Sequence, residues 1–120
     1  MAMITVVDDD PSVRKALSRL IKSCGHDAAV YESAEAFLAA DVVGDTECLV
    51  LDVHLPGMSG LDLQAELVKS DVKCPIVFIT AFDEERPRAE ALASGATEFL
   101  RKPLDSEGLI SAIGNAIESG

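Results

Sequence analysis

Short apolar runs alternate along the chain with stretches whose apolar residues recur every three or four positions. Ile4 to Val7 is the first run. Val13, Ala16, Leu17, Leu20, Ile21 and Cys24 then follow the spacing of one face of an amphipathic helix, which Gly25 stops. Ala28 to Tyr31 is a weaker strand candidate. Ser33 is placed to cap a short helix carrying Phe37 and Leu38, and Glu35 falls in its first turn, where the helix dipole favours an acid. The third position after Ser33 is Ala36, so no full capping box is expected. Cys48 to Val53 is a second strong run, broken by Asp52. After a loop over Pro56 to Gly60, Leu61, Ala65 and Val68 begin another helical face. Ile76 to Ile79 follows Pro75. Ala89, Leu92 and Ala93 mark a fourth helix that ends at Gly95 and takes Pro87 in its first turn. Glu98 to Leu100 is a short strand, and Leu109, Ile110, Ile113, Ala116 and Ile117 mark the last helix.

Five strands alternating with five helices predict a parallel sheet covered on both faces, and uninterrupted apolar strands fit that burial. At 120 residues the chain makes one domain with a core large enough to need no disulfide or structural metal. The doubly wound strand order 2-1-3-4-5 is the natural candidate at this length.

Charge narrows the range of partners. Twenty-one acidic residues against 10 basic ones give a net charge of −11, which repels a nucleic-acid backbone, so direct nucleic-acid binding by this domain is not expected. No apolar run approaches the ~20 residues of a membrane span, and Met1 to Val7 runs into Asp8 without the basic start of a signal peptide. Cys24, Cys48 and Cys74 are odd in number and widely spaced, each beside an apolar run. Buried free thiols in a reducing cytoplasm are the expectation. His26 and His54 show no zinc-ligand spacing.

The chemistry lies at the ends of the apolar runs. Asp8, Asp9 and Asp10 follow the first, Asp52 interrupts the third strand near its end, Thr80 follows the fourth, and Lys102 follows the fifth. In a parallel sheet all these ends share one edge, the edge at which open α/β folds bind ligands. Asp8, Asp9 and Asp52 would converge there and repel one another. A raised pKa, a cation, or both must compensate, and a hard dication such as magnesium suits oxygen ligands beside a phosphate. Lys102 supplies a fixed charge. Its stem is long enough to cross the two strand spacings, about 10 Å, that separate it from Asp52. Simpler readings stand beside these. Asp10 fits the N-cap of the first helix with Pro11 at its first turn, and Thr80 or Lys102 taken singly would be ordinary. Asp52 has no such reading, because an unpaired carboxylate is costly inside an apolar strand.

VVDDDPSVRKAL (6–17), LVLDVHLPGMSGLDL (49–63), PIVFITAF (75–82) and ATEFLRKPL (96–104) together resemble the signature segments of response-regulator receiver domains. The resemblance spans essentially the whole chain, 1–120, as one receiver domain without an output domain. It implies the flavodoxin-like (βα)5 sandwich with Asp52 as phospho-acceptor. Asp9 would bind magnesium directly, for which manganese can substitute, Asp8 would assist mainly through water, and the backbone carbonyl of His54 would add a ligand. Thr80 and Lys102 would hold phosphoryl oxygens, Thr80 and Phe99 would form the switch, and the Lys102–Pro103 bond would be cis. His54 and Phe82 occupy positions that tune loss of the phosphoryl group. The donor would be a sensor histidine kinase or a phosphotransfer protein. Phosphorylation would remodel the surface of the fourth helix, fifth strand and fifth helix, through which such domains can form homodimers. YESAEAFL (31–38) is similar to the FixJ-like branch, whose members usually carry a C-terminal helix-turn-helix. Transcription control through such a domain is therefore expected, with a stand-alone regulator acting by protein–protein contact as the alternative. The domain would be a signalling phospho-acceptor, not a turnover enzyme. An aspartyl-phosphate phosphatase would need a second acid as D-x-D where Val53 and His54 follow Asp52. A flavin module would need a Ser/Thr/Gly-rich phosphate loop where Asp8 to Asp10 stand.

Overall fold

Each apolar run becomes a strand of one sheet. The computed structural model describes residues 2–82 and 85–119. The strands are β1 (Met3–Val7), β2 (Asp27–Tyr31), β3 (Cys48–Asp52), β4 (Ile76–Thr80) and β5 (Glu98–Arg101). The helices are α1 (Pro11–Ser23), α2 (Ala34–Ala40), α3 (Gly60–Lys69), α4 (Glu85–Ala93) and α5 (Ser106–Ser119), with a short 3-10 turn at Val43–Asp45 that the hydrophobic pattern does not announce. The order is β2-β1-β3-β4-β5 and every pairing is parallel. This is the flavodoxin-like doubly wound fold expected from the alternation.

Period-two alternation divides the core into two layers. Ile4 and Val6 of β1, Cys48 and Val50 of β3, and Val77 and Ile79 of β4 face α1 and α5, where Leu17, Ile21, Leu109, Ile113 and Ala116 close over them. The opposite parity, Val7, Leu49, Leu51, Ile76 and Phe78, packs against Phe37 of α2, Leu63 and Leu67 of α3, and Ala91 of α4. The first layer's parity, carried past the strand ends, leads to Asp8, Asp52 and Lys102. The second leads to Thr80 and contains Phe99.

Capping follows local chemistry. Asp10 caps α1 by accepting the Ser12 amide at 2.9 Å, with Pro11 at the first turn. Ser33 caps α2 through the Ala36 amide at 3.0 Å. Gly25 takes φ +87° just past α1, a left-handed conformation that glycine adopts without strain. A reciprocal capping box, Ser59 with Asp62, opens α3.

Four helical faces differ from the expectation. α3 buries Gly60, Leu63, Gln64 and Leu67, whereas Leu61 is half-buried, Ala65 is exposed and Val68 is 57% exposed. The cause is the start of the helix. Gly60 sits so close to the Asp52 carbonyl that a Cβ there would collide with backbone, and that contact turns the 60-63-64-67 stripe inward. Gln64 was hidden from the pattern by its polarity; its side-chain amide donates to the Ala91 carbonyl at 2.9 Å. α4 buries Ala91 and leaves Ala89, Leu92 and Ala93 exposed, because it docks on the edge of the fold through one small residue. In α1 and α5, Ala16 and Ile110 lie at the solvent margin of their stripes and are exposed, while Leu17, Ile21, Leu109 and Ile113 are buried. Among the cysteines only Cys48 is buried. Cys74 is half-buried, and Cys24 caps the end of α1 in solvent, past the last turn that packs on the sheet.

The close approach at Gly60 is testable. Gly60→Ala is expected to destabilise the protein by about 2 kcal/mol, as for other overpacked contacts. The loss would appear as a lower urea midpoint at unchanged m-value. An unaltered midpoint would mean that the α3 start moves away without cost.

Candidate functional site

The strand ends meet as the topology requires. Asp8 is fully buried, Asp52 is 5% exposed and Thr80 is 2% exposed, all at the carboxyl edge of the sheet. The Lys102 ammonium reaches from the end of β5 to donate to Asp8 Oδ2 at 2.8 Å and to Asp52 Oδ2 at 3.3 Å. Asp9 stays exposed, yet carboxylate oxygens of Asp8, Asp9 and Asp52 all lie within 4.8 Å of one another. Asp10, at the helix cap, is not part of this group.

Backbone contacts aim the acids. The Asp10 amide donates to Asp8 Oδ1 at 2.9 Å, so both oxygens of Asp8 already hold a partner. The Asp52 carboxylate accepts the His54 amide at 3.1 Å, which fixes the His54 peptide beside it. Lys102 is steered from behind. Its own amide donates to the Thr80 carbonyl at 2.6 Å, and the Lys102–Pro103 bond is cis, turning the chain straight after the amine. The Thr80 hydroxyl oxygen accepts the Phe82 amide at 3.1 Å. Phe82 is 55% exposed, and its ring meets that of His54 edge to face at a centroid distance of 4.8 Å. Phe99 lies on β5, two strands from Asp52, half-buried against Phe78 of β4 at 5.9 Å.

Two residues at the site carry contacts that the hydrophobic pattern does not reveal. Arg14 donates from Nη1 to the Asp8 carbonyl at 2.8 Å and so steadies the acidic loop from α1. Glu35 accepts the Met58 amide at 2.9 Å. Periodicity marks neither, because each polar tip reports a tertiary contact rather than a helical face.

The electrostatics follow from crowding. Burial pushes the Asp52 carboxyl above the ordinary aspartate range and the Asp8 charge adds to the push, while the His54 amide and Lys102 offset only part of it. Burial alone would draw Lys102 down. The hydrogen bonds and charges of Asp8 and Asp52 outweigh it and hold the amine above its usual value. Three carboxylates facing one ammonium leave an excess of negative charge in a pocket of hard oxygen donors. That chemistry fits a hard dication, and Asp8, Asp9 and Asp52 are the acids grouped closely enough to hold one.

The chain is a doubly wound domain with three acids and a lysine gathered at the carboxyl edge of its sheet. The response regulator receiver domain family matches residues 4–114, and the chain belongs to that family. Nodulation protein W of Bradyrhizobium diazoefficiens is 40% identical over 117 residues, covering 98% of this chain and 52% of that protein. The transcriptional regulatory protein FixJ of Azorhizobium caulinodans is 37% identical over 121 residues, covering 98% of this chain and 57% of that protein. The chain thus spans about half the length of these relatives. Among solved structures, FixJ-N superposes with a TM-score of 0.88 at 33% identity, over 98% of this chain and 94% of that one. The response regulator StyR gives 0.92 at 39% identity, over 98% of this chain and 60% of that one. The match to FixJ agrees with the FixJ-like branch expected from residues 31–38. Among the described residues no helix is long and apolar enough to cross a membrane.

In metal-free protein, Asp52→Asn is expected to raise the melting temperature by a few degrees at neutral pH. A carboxyl whose folded pKa is raised favours folding while it is protonated in both states, and that contribution is lost as pH rises through the folded pKa. The parent should therefore fall behind Asp52→Asn from the ordinary carboxylate range upward, and the gap should level off once Asp52 is ionised. Melting curves in EDTA between about pH 4 and pH 7 check this. A gap that does not vary with pH would remove Asp52 ionisation as its cause.

Proposed function

We propose that this domain takes a phosphoryl group onto Asp52 from a phosphohistidine of a sensor histidine kinase or phosphotransfer protein in the cytoplasm, with magnesium, and passes the change to a partner-binding surface. The observation that carries this reading is the Lys102 ammonium held between Asp8 and Asp52, with Asp9 open to solvent beside them. That arrangement keeps a buried acid next to a fixed cation at the edge where a phosphoryl donor can approach.

Asp52 is the nucleophile. One carboxylate oxygen attacks phosphorus, the P–N bond to the donor imidazole breaks, and the imidazole leaves with a proton from solvent. Asp9, Asp52 and the His54 carbonyl would hold magnesium, with Asp8 assisting mainly through water. The bound dication supplies positive charge against the phosphoryl oxygens. Lys102, already 3.3 Å from Asp52 Oδ2, neutralises one of those oxygens, and its hydrogen bond to Asp8 keeps it aimed. The Thr80 hydroxyl turns its proton to another. Movement of Thr80 gives Phe99 space to turn inward against Phe78, which reshapes the α4-β5-α5 surface for a partner or a second copy of the domain. The phosphoryl group shifts this balance only through contacts it makes in one state and not the other.

Asp52 takes one phosphoryl group, which water removes slowly as inorganic phosphate to restore the carboxylate, so the domain serves as a signalling acceptor that assists its own chemistry. Relatives named as transcriptional regulatory proteins support transcription control as the output.

Incubation with magnesium and acetyl phosphate is expected to add one phosphoryl group, about 80 Da by intact mass. Asp52→Asn should show no adduct, and an adduct on that variant would move the acceptor elsewhere. His54 and Phe82 pack on one another next to the acceptor loop, and the bulk of Phe82 is read as slowing the approach of water. Phe82→Ala should then shorten the phosphoryl half-life severalfold in a radiolabel decay assay. An equal half-life would assign Phe82 no part in the lifetime.

A further inference from the structure

The loop from Val53 to Ser59 carries the His54 peptide and must keep its shape for that peptide to stay beside Asp52. Its two ends are well fixed. At the start, the Val53 amide donates to the Ile79 carbonyl at 3.0 Å and the His54 amide to Asp52 at 3.1 Å. At the finish, the Gly60 amide returns to the Val53 carbonyl at 2.9 Å, and Ser59 and Asp62 cap each other. The crest between them, Pro56 to Met58, is exposed or half-buried and projects beyond the sheet.

Glu35 reaches this crest from another element, 23 residues away in sequence. Its carboxylate accepts the Met58 amide at 2.9 Å. Gly57 takes φ +73°, and a Cβ on it would collide with Glu35 Oε2. The crest is thus folded down onto the carboxylate in a left-handed conformation that favours glycine. The base of Glu35 is itself rigid: Ser33 caps α2, and Ala34 and Phe37, on either side of Glu35, are buried in the core. The Met58 amide, and after it Glu35's own amide, hold the carboxyl below the ordinary glutamate range, so the brace is ionised at neutral pH.

We propose that Glu35 is a positioning residue for the metal site: its carboxylate clamps the β3–α3 loop at Met58 and so presets the His54 peptide for a cation held by Asp9 and Asp52. The inference rests on the magnesium reading above. It gives α2 a part in the chemistry although no residue of α2 reaches the acids. A carboxylate accepting a backbone amide is among the stronger single hydrogen bonds, and a group that orients a ligand from behind acts through the order it imposes.

The test compares the parent, Glu35→Ala and Glu35→Gln, with folding checked by circular dichroism. Glutamine keeps an acceptor oxygen at the same reach and drops the charge, so it should partly rescue a hydrogen-bond role and fail to rescue a purely electrostatic one. Two quantities are read by NMR: the exchange rate of the Met58 amide without metal, and the dissociation constant for magnesium alone from shifts at Asp52 and His54. Glu35→Ala should speed Met58 exchange about tenfold or more and weaken magnesium roughly threefold to tenfold, and Glu35→Gln, which keeps a weaker neutral acceptor, should fall between the parent and Glu35→Ala in both. With magnesium binding intact in the parent, unchanged values in Glu35→Ala, or a glutamine variant as impaired as the alanine one, would overturn the positioning role alone. A parent whose Asp52 and His54 amides ignore magnesium would overturn the metal reading and this proposal together.

Discussion

The Lys102 ammonium lies 2.8 Å from Asp8 and 3.3 Å from Asp52, both acids buried, and the site depends on this three-body contact. Two carboxylates in one low-dielectric cleft repel each other, and burial penalises each separately. One amine shared between them reduces both costs without cancelling them, as the upward push on Asp52 shows. The site therefore keeps an unspent attraction for positive charge. That residual attraction is a property of the folded chain alone, present before any ligand arrives, and in the proposed reaction it would draw in the dication that offsets the repulsion between carboxylate and phosphate.

The contact exists because of topology. Asp8, Asp52 and Lys102 belong to β1, β3 and β5 ends separated by most of the sequence, and a parallel sheet of order 2-1-3-4-5 places all three ends on one rim. Side-chain parity then selects which of them converge. The positions that follow the α1/α5 layer outward bear the acids and the amine, while those that follow the other layer, Thr80 and Phe99, lead toward α4. A one-residue slip of β5 against β4 would send Lys102 to the wrong face, so the pairing of Thr80 with Arg101 matters as much to the site as Lys102 itself. The short bond from the Lys102 amide to the Thr80 carbonyl extends that pairing one residue beyond the strand.

Strand runs and the residues at the rim were legible in the sequence because each leaves a local mark: a buried strand is uniformly apolar, and a charge within or just after it is conspicuous. Asp52 inside Cys48–Asp52 is the plainest case. Strand order leaves no such mark and was a candidate from chain length and alternation alone. Helical faces were less legible where packing turns on something other than hydrophobicity. α3 faces inward along Gly60, Leu63, Gln64 and Leu67 because a glycine must touch the Asp52 backbone, and a polar glutamine is drawn in by the Ala91 carbonyl. Val68 looked like core and is exposed, since the same rotation turns it out. Glu35 and Arg14 were invisible for a further reason. Each does its work on a backbone group of a distant loop, and a backbone amide or carbonyl is the same at every position.

How a rim contact can be felt on a distant surface follows from how unequally the helices are held. α1 and α5 press several large side chains into the core, whereas α4 buries Ala91 alone, and its visible polar tie to α3 is the Gln64 side chain on the Ala91 carbonyl. Elements with few buried contacts open at low cost. Thr80 stands where the rim meets this weak side of the fold: its carbonyl receives the Lys102 amide and its hydroxyl receives the Phe82 amide at the start of the segment leading to α4. In the proposed reaction the hydroxyl donates its proton to a phosphoryl oxygen while its oxygen still accepts the Phe82 amide, so a movement of Thr80 would pull on Phe82. Since β4 is buried throughout and Lys102 is pinned between two acids, the strain has one soft direction to take, toward Phe82 and α4. In that reaction a group bound to Asp52 would bias α4 rather than α1 or α5, because α4 buries the least of its surface in the core.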